Sequence, residues 1–272
     1  MTVAESVRSR YAEVMDRVAR AAERSGRSAS DVMVVAVSKY AELDDIRGLL
    51  ELGHADFGEG RAQQLLQRAA IVDEWLERRR SMRRVGASAQ EEASITGGRF
   101  PEEVRWHMVG HLQRNKVRKT LGVVRLVHSV DSLRLIEEIQ SAAMKRDGVA
   151  DVLIQVNCSG EKSKYGCAVA AAAHLAEQME TMMHIRCRGL MTMAPHAEDP
   201  EAARPTFERC VEVYNDIRTR GIGDGEFDIL SMGMSNDFEV GIECGANMVR
   251  LGSAIFGPRE GGEDHDEDGE EA

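Results

Sequence analysis

Two features of the sequence could together hold a phosphorylated aldehyde. The first is Lys39, which ends an apolar and β-branched run, VMVVAVSK (Val32–Lys39). A lysine at the end of a buried strand loses part of its hydration, and its amine is then a nucleophile that condenses with aldehydes. A lysine that extends from the rim of the fold into water is the alternative reading.

The second feature is a pair of Gly- and Ser-containing segments, SMGMS (Ser231–Ser235) and RLGS (Arg250–Ser253). Glycine lets backbone N–H groups approach an anion, and serine hydroxyls add further donors. Ser235 precedes Asn236 and Asp237 and has the type of residue that caps a helix N-terminus, which would direct the helix at the anion. These segments predict a phosphate site, against the alternative of an ordinary capped turn and a Gly–Ser strand end.

The order of predicted elements indicates how these residues are brought together. Apolar runs predict eight strands, at Val32–Lys39, Ala55–Gly58, Trp106–Gly110, Leu126–Asp131, Asp151–Cys158, Ile185–Met193, Phe227–Met234 and Met248–Phe256. Helical patterns lie between most of them, at Glu42–Leu52, Arg61–Arg79, Ser132–Arg146, Ala168–Met183, Pro200–Arg220 and Asn236–Cys244. Eight such units, preceded by an amphipathic N-terminal helix, predict one (β/α)8 barrel. An open doubly wound sheet is less favoured, because no G-x-G-x-x-G follows the first strand.

A barrel collects the carboxyl ends of its strands at one mouth, and its phosphate sites recur after the seventh and eighth strands. Lys39, Asn157 and both Gly/Ser segments stand at such ends. His107 and His111 are four residues apart, but that spacing crosses a strand end and lacks the glutamate of H-E-x-x-H, so we predict no metal site.

Composition bounds the remaining possibilities. Of the net charge of −11, the last residues carry most, because Glu260–Ala272 contains eight acidic residues and no Lys or Arg. We therefore predict a barrel over 1–258 with a surface insertion at 81–105, followed by a disordered acidic tail at 259–272. The nearly balanced body predicts no nucleic-acid partner, and the lack of an apolar run of about 20 residues predicts no membrane partner. Five scattered cysteines and the absence of a signal sequence favour the cytoplasm.

Long ordered motifs of the chain closely resemble the pyridoxal phosphate homeostasis protein family, which are single barrels related to the barrel half of alanine racemase. The motifs are AVSK (Ala36–Lys39), FGEGR (Phe57–Arg61), WHMVGHLQRNK (Trp106–Lys116), HSVDS (His128–Ser132), QVNCSGEKSKYG (Gln155–Gly166), RGLMTMAP (Arg188–Pro195), LSMGMSNDF (Leu230–Phe238) and MVRLGSAIFG (Met248–Gly257). The chain departs from the family where Gly60 replaces a common Asn, and where SKYAE replaces the usual S-K-T-K-P.

The resemblance implies pyridoxal 5′-phosphate (PLP) as the cofactor, bound as a Schiff base on Lys39. It implies that Arg250 faces the pyridine nitrogen and that Ser231, Ser235, Gly252 and Ser253 surround the phosphate. With the strand-end residue Asn157, the predicted cofactor-binding set is Lys39, Asn157, Ser231, Gly233, Ser235, Arg250, Gly252 and Ser253, with no catalytic residue and no metal ligand.

The implied function is intracellular PLP homeostasis, in which the chain holds PLP and passes it to apo PLP-dependent enzymes, with at most a weak PLP-dependent side activity. The alternative is an amino-acid racemase. It is less favoured because such relatives take an acid–base partner from a second domain, which we do not expect here. It is also disfavoured because Arg250 would leave the ring nitrogen without a proton and the ring a poor electron sink. A barrel aldolase that uses Lys39 on a sugar phosphate is a third class. We expect a monomer.

Overall fold

The computed structural model describes residues 3–85, 101–161, 164–223 and 225–258. Its sheet contains the strands β1 (Met33–Val37), β2 (Asp56–Glu59), β3 (Arg105–Met108), β4 (Val124–Val130), β5 (Ala150–Asn157), β6 (Cys167–Ala168), β7 (Ile185–Met191), β8 (Ile229–Ser231) and β9 (Met248–Leu251). All pairings are parallel, and the order β1-β2-β3-β4-β5-β7-β8-β9 closes on itself because β9 also pairs with β1, while β6 adds only to β5. The predicted eight-stranded barrel is confirmed, and closure excludes the open sheet.

Helices surround this barrel as predicted. They are α1 (Val3–Arg24), α2 (Leu43–Glu51), α3 (Ala62–Val85), α4 (Val117–Thr120), α5 (Leu133–Met144), α6 (Val169–Glu180), α7 (Arg204–Thr219), α8 (Phe238–Glu243) and α9 (Ser253–Phe256). The prediction that the last strand reaches Phe256 was wrong. Gly252 leaves the extended conformation at φ −107° and ψ −86° and becomes the N-cap of α9.

Side chains of the strands alternate between two apolar layers, as the period of two in a strand requires. Outward-facing residues such as Phe57, Trp106 and Val249 pack against the helices in the main core. The interior of the barrel holds a much smaller apolar cluster formed by Val35, Leu126, Leu153, Met191 and Met248. This apolar cluster is small because buried polar side chains occupy other inward positions of the same strands.

The N-terminal helix α1 was predicted from its amphipathic pattern. It packs beside the place where β9 pairs with β1 and closes the barrel. It contacts α2, α8 and α9 and buries Val7, Val14 and Val18. Arg10 of this helix donates from Nε to the carbonyl of Ile255 (2.8 Å) and from Nη2 to that of Phe256 (2.9 Å). The end of α9 is thereby tied to the other end of the chain.

The predicted insertion shares its ends with two regular elements. Helix α3 extends to Val85 and β3 begins at Arg105. Residues 86–100 and the predicted acidic tail, 259–272, lie outside the described residues, so the surface insertion and the disordered tail stay predictions. Within the described parts of the chain, no helix is both long and apolar enough to span a bilayer.

Candidate functional site

Lys39 lies in the turn that follows β1, at the carboxyl end of the barrel. The turn is fixed by backbone hydrogen bonds from Ser38 N to Gly58 O (2.9 Å) and from Ala41 N to Ser38 O (2.9 Å). The Lys39 side chain is half-buried, and its Nζ lies 4.9 Å from the ring centroid of Tyr40. The structure therefore places this amine where the sequence predicted it.

The buried carboxylate of Glu59 supports the turn that contains Lys39. Oε1 of Glu59 accepts a hydrogen bond from Ser38 Oγ (2.7 Å) and lies 3.0 Å from Nε of Arg68, which also donates from Nη1 to Ala41 O (2.7 Å). Burial raises the pKa of Glu59, although Ser38 and Arg68 act in the opposite direction. Glu59 is thus part of the support for the turn, which sequence reasoning missed.

The two Gly/Ser segments meet after β8 and β9. Oγ of Ser235 accepts hydrogen bonds from the backbone N–H groups of Gly252 (3.2 Å) and Ala254 (3.1 Å), so its own hydroxyl hydrogen is available to another acceptor. Ser253 is the exposed first residue of α9, and Gly233 has a φ of 98°. The backbone N–H groups of Gly252 and Ala254 therefore orient the Ser235 hydroxyl at the mouth of the barrel, where it can donate to an anion.

Ser235 is not the N-cap of the following helix, and that prediction was wrong. The chain makes one more turn first, because Asp237 Oδ1 accepts from Met234 N (2.6 Å) and Phe238 N donates to Met234 O (2.9 Å). Asp237 is the N-cap of α8 instead. Ser235 therefore does not cap α8, and its hydroxyl oxygen instead accepts hydrogen bonds from the segment that follows β9.

Arg250 and Ser231 lie inside the barrel. Nη1 of Arg250 donates to Ser231 Oγ (2.7 Å), and Nη2 donates to the carbonyl of Thr192 (3.0 Å). Burial lowers the pKa of Arg250 to about 10, while the carboxylate of Asp237 opposes this change. The guanidinium therefore remains protonated at neutral pH and can only donate hydrogen bonds.

Asn157, at the end of β5, uses its side chain to shape the next loop. Its Nδ2 donates to the carbonyls of Glu161 (2.8 Å) and Lys164 (3.2 Å), and its Oδ1 accepts from Ser159 Oγ (3.0 Å) and Gly160 N (3.0 Å). Both amide hydrogens and both oxygen lone pairs are then occupied. Its predicted contact with the cofactor stays a prediction.

The histidines of the WHMVGHLQRNK motif separate in the structure. The His107 ring is buried next to His128, whereas His111 stacks on Tyr165 with 4.8 Å between ring centroids. Sequence reasoning missed the buried set formed by Asp56, His107 and His128. Side chains alternate between the two faces of a strand, and this alternation in β2, β3 and β4 could have shown that all three side chains face the interior of the barrel.

The fold and this set of groups define a barrel protein of the alanine racemase N-terminal domain class, and that domain family matches residues 77–260. A pyridoxal phosphate homeostasis protein of Aquifex aeolicus (strain VF5) is 33% identical over 254 residues, covering 92% of this chain and 97% of that protein. The chain belongs to the pyridoxal phosphate homeostasis protein family.

Two solved structures extend the comparison. An unknown protein from Bifidobacterium adolescentis superposes with a TM-score of 0.79 at 34% identity, covering 93% of this chain and 95% of that one. PipY of Synechococcus elongatus PCC7942, solved with PLP bound, gives a TM-score of 0.69 at 25% identity, covering 94% of this chain and 100% of that one.

Proposed function

We propose that the protein binds PLP as a Schiff base on Lys39 and serves intracellular PLP homeostasis. The observation that carries this proposal is the convergence of an amine, an anion site and a guanidinium on adjacent strands. Lys39 follows β1, Arg250 lies on β9 directly opposite Val35 of β1, and Ser235 follows β8, which pairs with β9. The PLP bound in PipY supports the same cofactor here.

The chemistry of these groups fits the three ends of PLP. The Lys39 amine would condense with the aldehyde carbon, which would form a C=N bond with loss of the aldehyde oxygen as water. The hydroxyls of Ser235 and Ser253 are donors for phosphate oxygens, and the N–H groups of Gly252 and Ala254 hold the Ser235 oxygen in position. Arg250 is a donor for the ring nitrogen.

Ser231 fits this arrangement differently from the other serines. Its side chain is fully buried and its Oγ accepts from Arg250, so we assign it to the ring end of the cofactor rather than to the phosphate. Gly233 connects the two ends, because its carbonyl accepts a hydrogen bond from Arg250 N (3.0 Å).

The wider setting follows from the same proposal. A protein that holds PLP reversibly can pass it to apo PLP-dependent enzymes, which are the partners that we propose. All five cysteines are free thiols, which favours a reducing compartment such as the cytoplasm. We propose a monomer that carries PLP rather than an enzyme that turns over substrates rapidly.

Borohydride reduction tests the covalent anchor. Reduction of the PLP-loaded protein, followed by digestion and mass spectrometry, is expected to place the pyridoxyl adduct on Lys39. Lys39→Ala should abolish this adduct and the visible absorption band, whereas the matched variant Lys164→Ala should retain both. Minor labelling of Lys164 is compatible with the proposal, since it lies in the loop after β5. A main adduct that persists in Lys39→Ala contradicts it.

Gly60→Asn is expected to strengthen PLP binding by a few-fold. A Cβ atom added at Gly60 meets nothing within 4 Å, so there is space for the first atom of the asparagine that is common in the family. One additional hydrogen bond contributes about 0.5–1.5 kcal/mol, or roughly twofold to tenfold in affinity. Titration of both apo-proteins with PLP, followed by absorbance, measures the change. Gly60→Ala is the control for backbone stiffening, and equal gains in both variants would rule out a contact of the amide.

A further inference from the structure

A row of buried polar side chains crosses the interior of the barrel and ends on Arg250. It begins with Asp56, the first residue of β2, whose Oδ1 lies 3.3 Å from Nε2 of His107. His107 Nδ1 lies 2.9 Å from His128 Nε2, and His128 Nδ1 lies 3.2 Å from Ser231 Oγ. Arg250 Nη1 then donates to the same Ser231 oxygen.

The carboxylate of Asp56 determines the direction of the hydrogen bonds in this row. Burial opposes its ionisation, but hydrogen bonds from Arg105 and His107 outweigh burial and hold the pKa of Asp56 below its ordinary value. An ionised carboxylate can only accept, so Nε2 of His107 must carry a hydrogen. Arg105 already balances this carboxylate through two contacts, 2.7 Å from Nε and 2.5 Å from Nη2. A second proton on His107 would place a second positive charge in a buried site beside a carboxylate that Arg105 already balances.

The remaining hydrogens follow from that first one. A neutral His107 protonated on Nε2 offers Nδ1 as an acceptor, so Nε2 of His128 must donate to it. Burial lowers the pKa of His128 well below its ordinary value, and His107 and Arg250 act in the same direction, so this ring is neutral. Its Nδ1 then accepts the hydroxyl hydrogen of Ser231.

Ser231 consequently presents only lone pairs to Arg250. With its hydrogen directed at His128, Oγ of Ser231 is a pure acceptor for Nη1 of the guanidinium. The carbonyl of Thr192 accepts from Nη2, and two such bonds fix the plane of a rigid guanidinium. Arg250 is thus connected to the Asp56 carboxylate through Ser231, His128 and His107.

We propose that Asp56, His107 and His128 are positioning residues for Arg250 and set the plane of the group that meets the cofactor ring. The proposal rests on the proposed function insofar as Arg250 is the ring contact. The tautomers themselves are a property of the protein alone.

Histidine tautomers in the apo-protein provide the first test. Long-range ¹H–¹⁵N NMR spectra of ¹⁵N-labelled protein are expected to show both rings neutral and protonated on Nε2. His107→Gln and His128→Gln variants identify the two sets of signals, and exposed His174 is an internal reference for a ring in rapid exchange with water. Either ring protonated on Nδ1, or on both nitrogens, overturns the proposal whether or not the protein binds PLP.

Two substitutions of Asp56 test the consequence for the cofactor. Both remove the negative charge, but Asp56→Asn keeps an acceptor oxygen. Its amide oxygen should take the Oδ1 position, because Arg105 Nε and His107 Nε2 both donate there, and the amide NH2 then turns Nη2 of the partly exposed Arg105 toward water. Asp56→Ala leaves His107 without an acceptor and allows both rings to populate Nδ1-protonated forms.

Asp56→Ala is expected to weaken PLP binding about tenfold, while Asp56→Asn stays within about twofold of the wild type. Equal losses in the two variants would show that charge rather than hydrogen-bond direction matters, and would overturn the proposal. If Asp56→Ala does not fold, the wild-type tautomers and the affinity of Asp56→Asn decide it. A wild-type protein that binds no PLP contradicts the proposed function and leaves the tautomer test in place.

Discussion

Gly189→Ala is expected to lower the free energy of unfolding by at least about 3 kcal/mol, a large part of the roughly 5–15 kcal/mol that a domain possesses. Gly189 lies in β7 at a register shift against β5, with a φ of 145°. A Cβ atom there would overlap the carbonyl oxygen of Ile229 and lie 2.7 Å from its carbonyl carbon. Backbone strain of about 1–3 kcal/mol and overpacking of about 1–3 kcal/mol both apply.

Urea denaturation of the apo-protein measures this loss, and Gly221→Ala is the matched control. Gly221 also has a positive φ, 77°, but an added Cβ meets nothing within 4 Å. The control therefore carries the backbone strain without the overlap, and we expect it to cost about 1–2 kcal/mol. If the two variants lose the same free energy, the close approach of β7 to β8 is not what requires glycine at position 189. Because β8 carries Ser231, Gly189→Ala should also weaken PLP binding.

Gly189 shows which part of the fold the sequence could not predict. The run IRCRGLMTM is apolar enough to predict a strand, and that strand is present. The register shift depends on how two neighbouring strands meet, and no local pattern within the run encodes it. The same holds for the end of β9, where an apolar run that continues to Phe256 conceals the change to α9 at Gly252.

The mouth of the barrel was predictable because strand ends are marked in the sequence. Buried runs, combined with the rule that barrel sites lie at carboxyl ends, predict Lys39, Ser235 and Gly252, whereas the role of Arg250 came from the family resemblance. The row of buried polar side chains inside the barrel was not predictable, because residues that contact each other there are far apart in the sequence. His107 and His128 are separated by 21 residues, and His128 and Ser231 by 103.

The two classes of function differ most in one measurable rate, the exchange of the Cα proton of an amino acid. When bound, PLP supplies a ring that can take up negative charge from Cα. An enzyme that uses this property strongly places a carboxylate near the ring nitrogen to keep it protonated. Arg250 is protonated at neutral pH and only donates, so a ring nitrogen that meets it must accept and carries no proton.

PLP-loaded protein incubated with alanine in heavy water is therefore expected to exchange the Cα proton slowly, far below the roughly 1–1000 per second of ordinary enzymes. Proton NMR of the alanine Cα signal follows the exchange, and free PLP at the same concentration provides the baseline. A rate close to that baseline, together with transfer of PLP to an apo-enzyme, supports a carrier. Turnover that approaches the enzyme range would overturn it and favour the racemase. The slow exchange is expected because of Arg250 itself. Its hydrogen bonds to Ser231 and Thr192 hold it in place as a donor. A guanidinium has no acceptor for the hydrogen of a protonated ring nitrogen, so it does not stabilise that form of the ring.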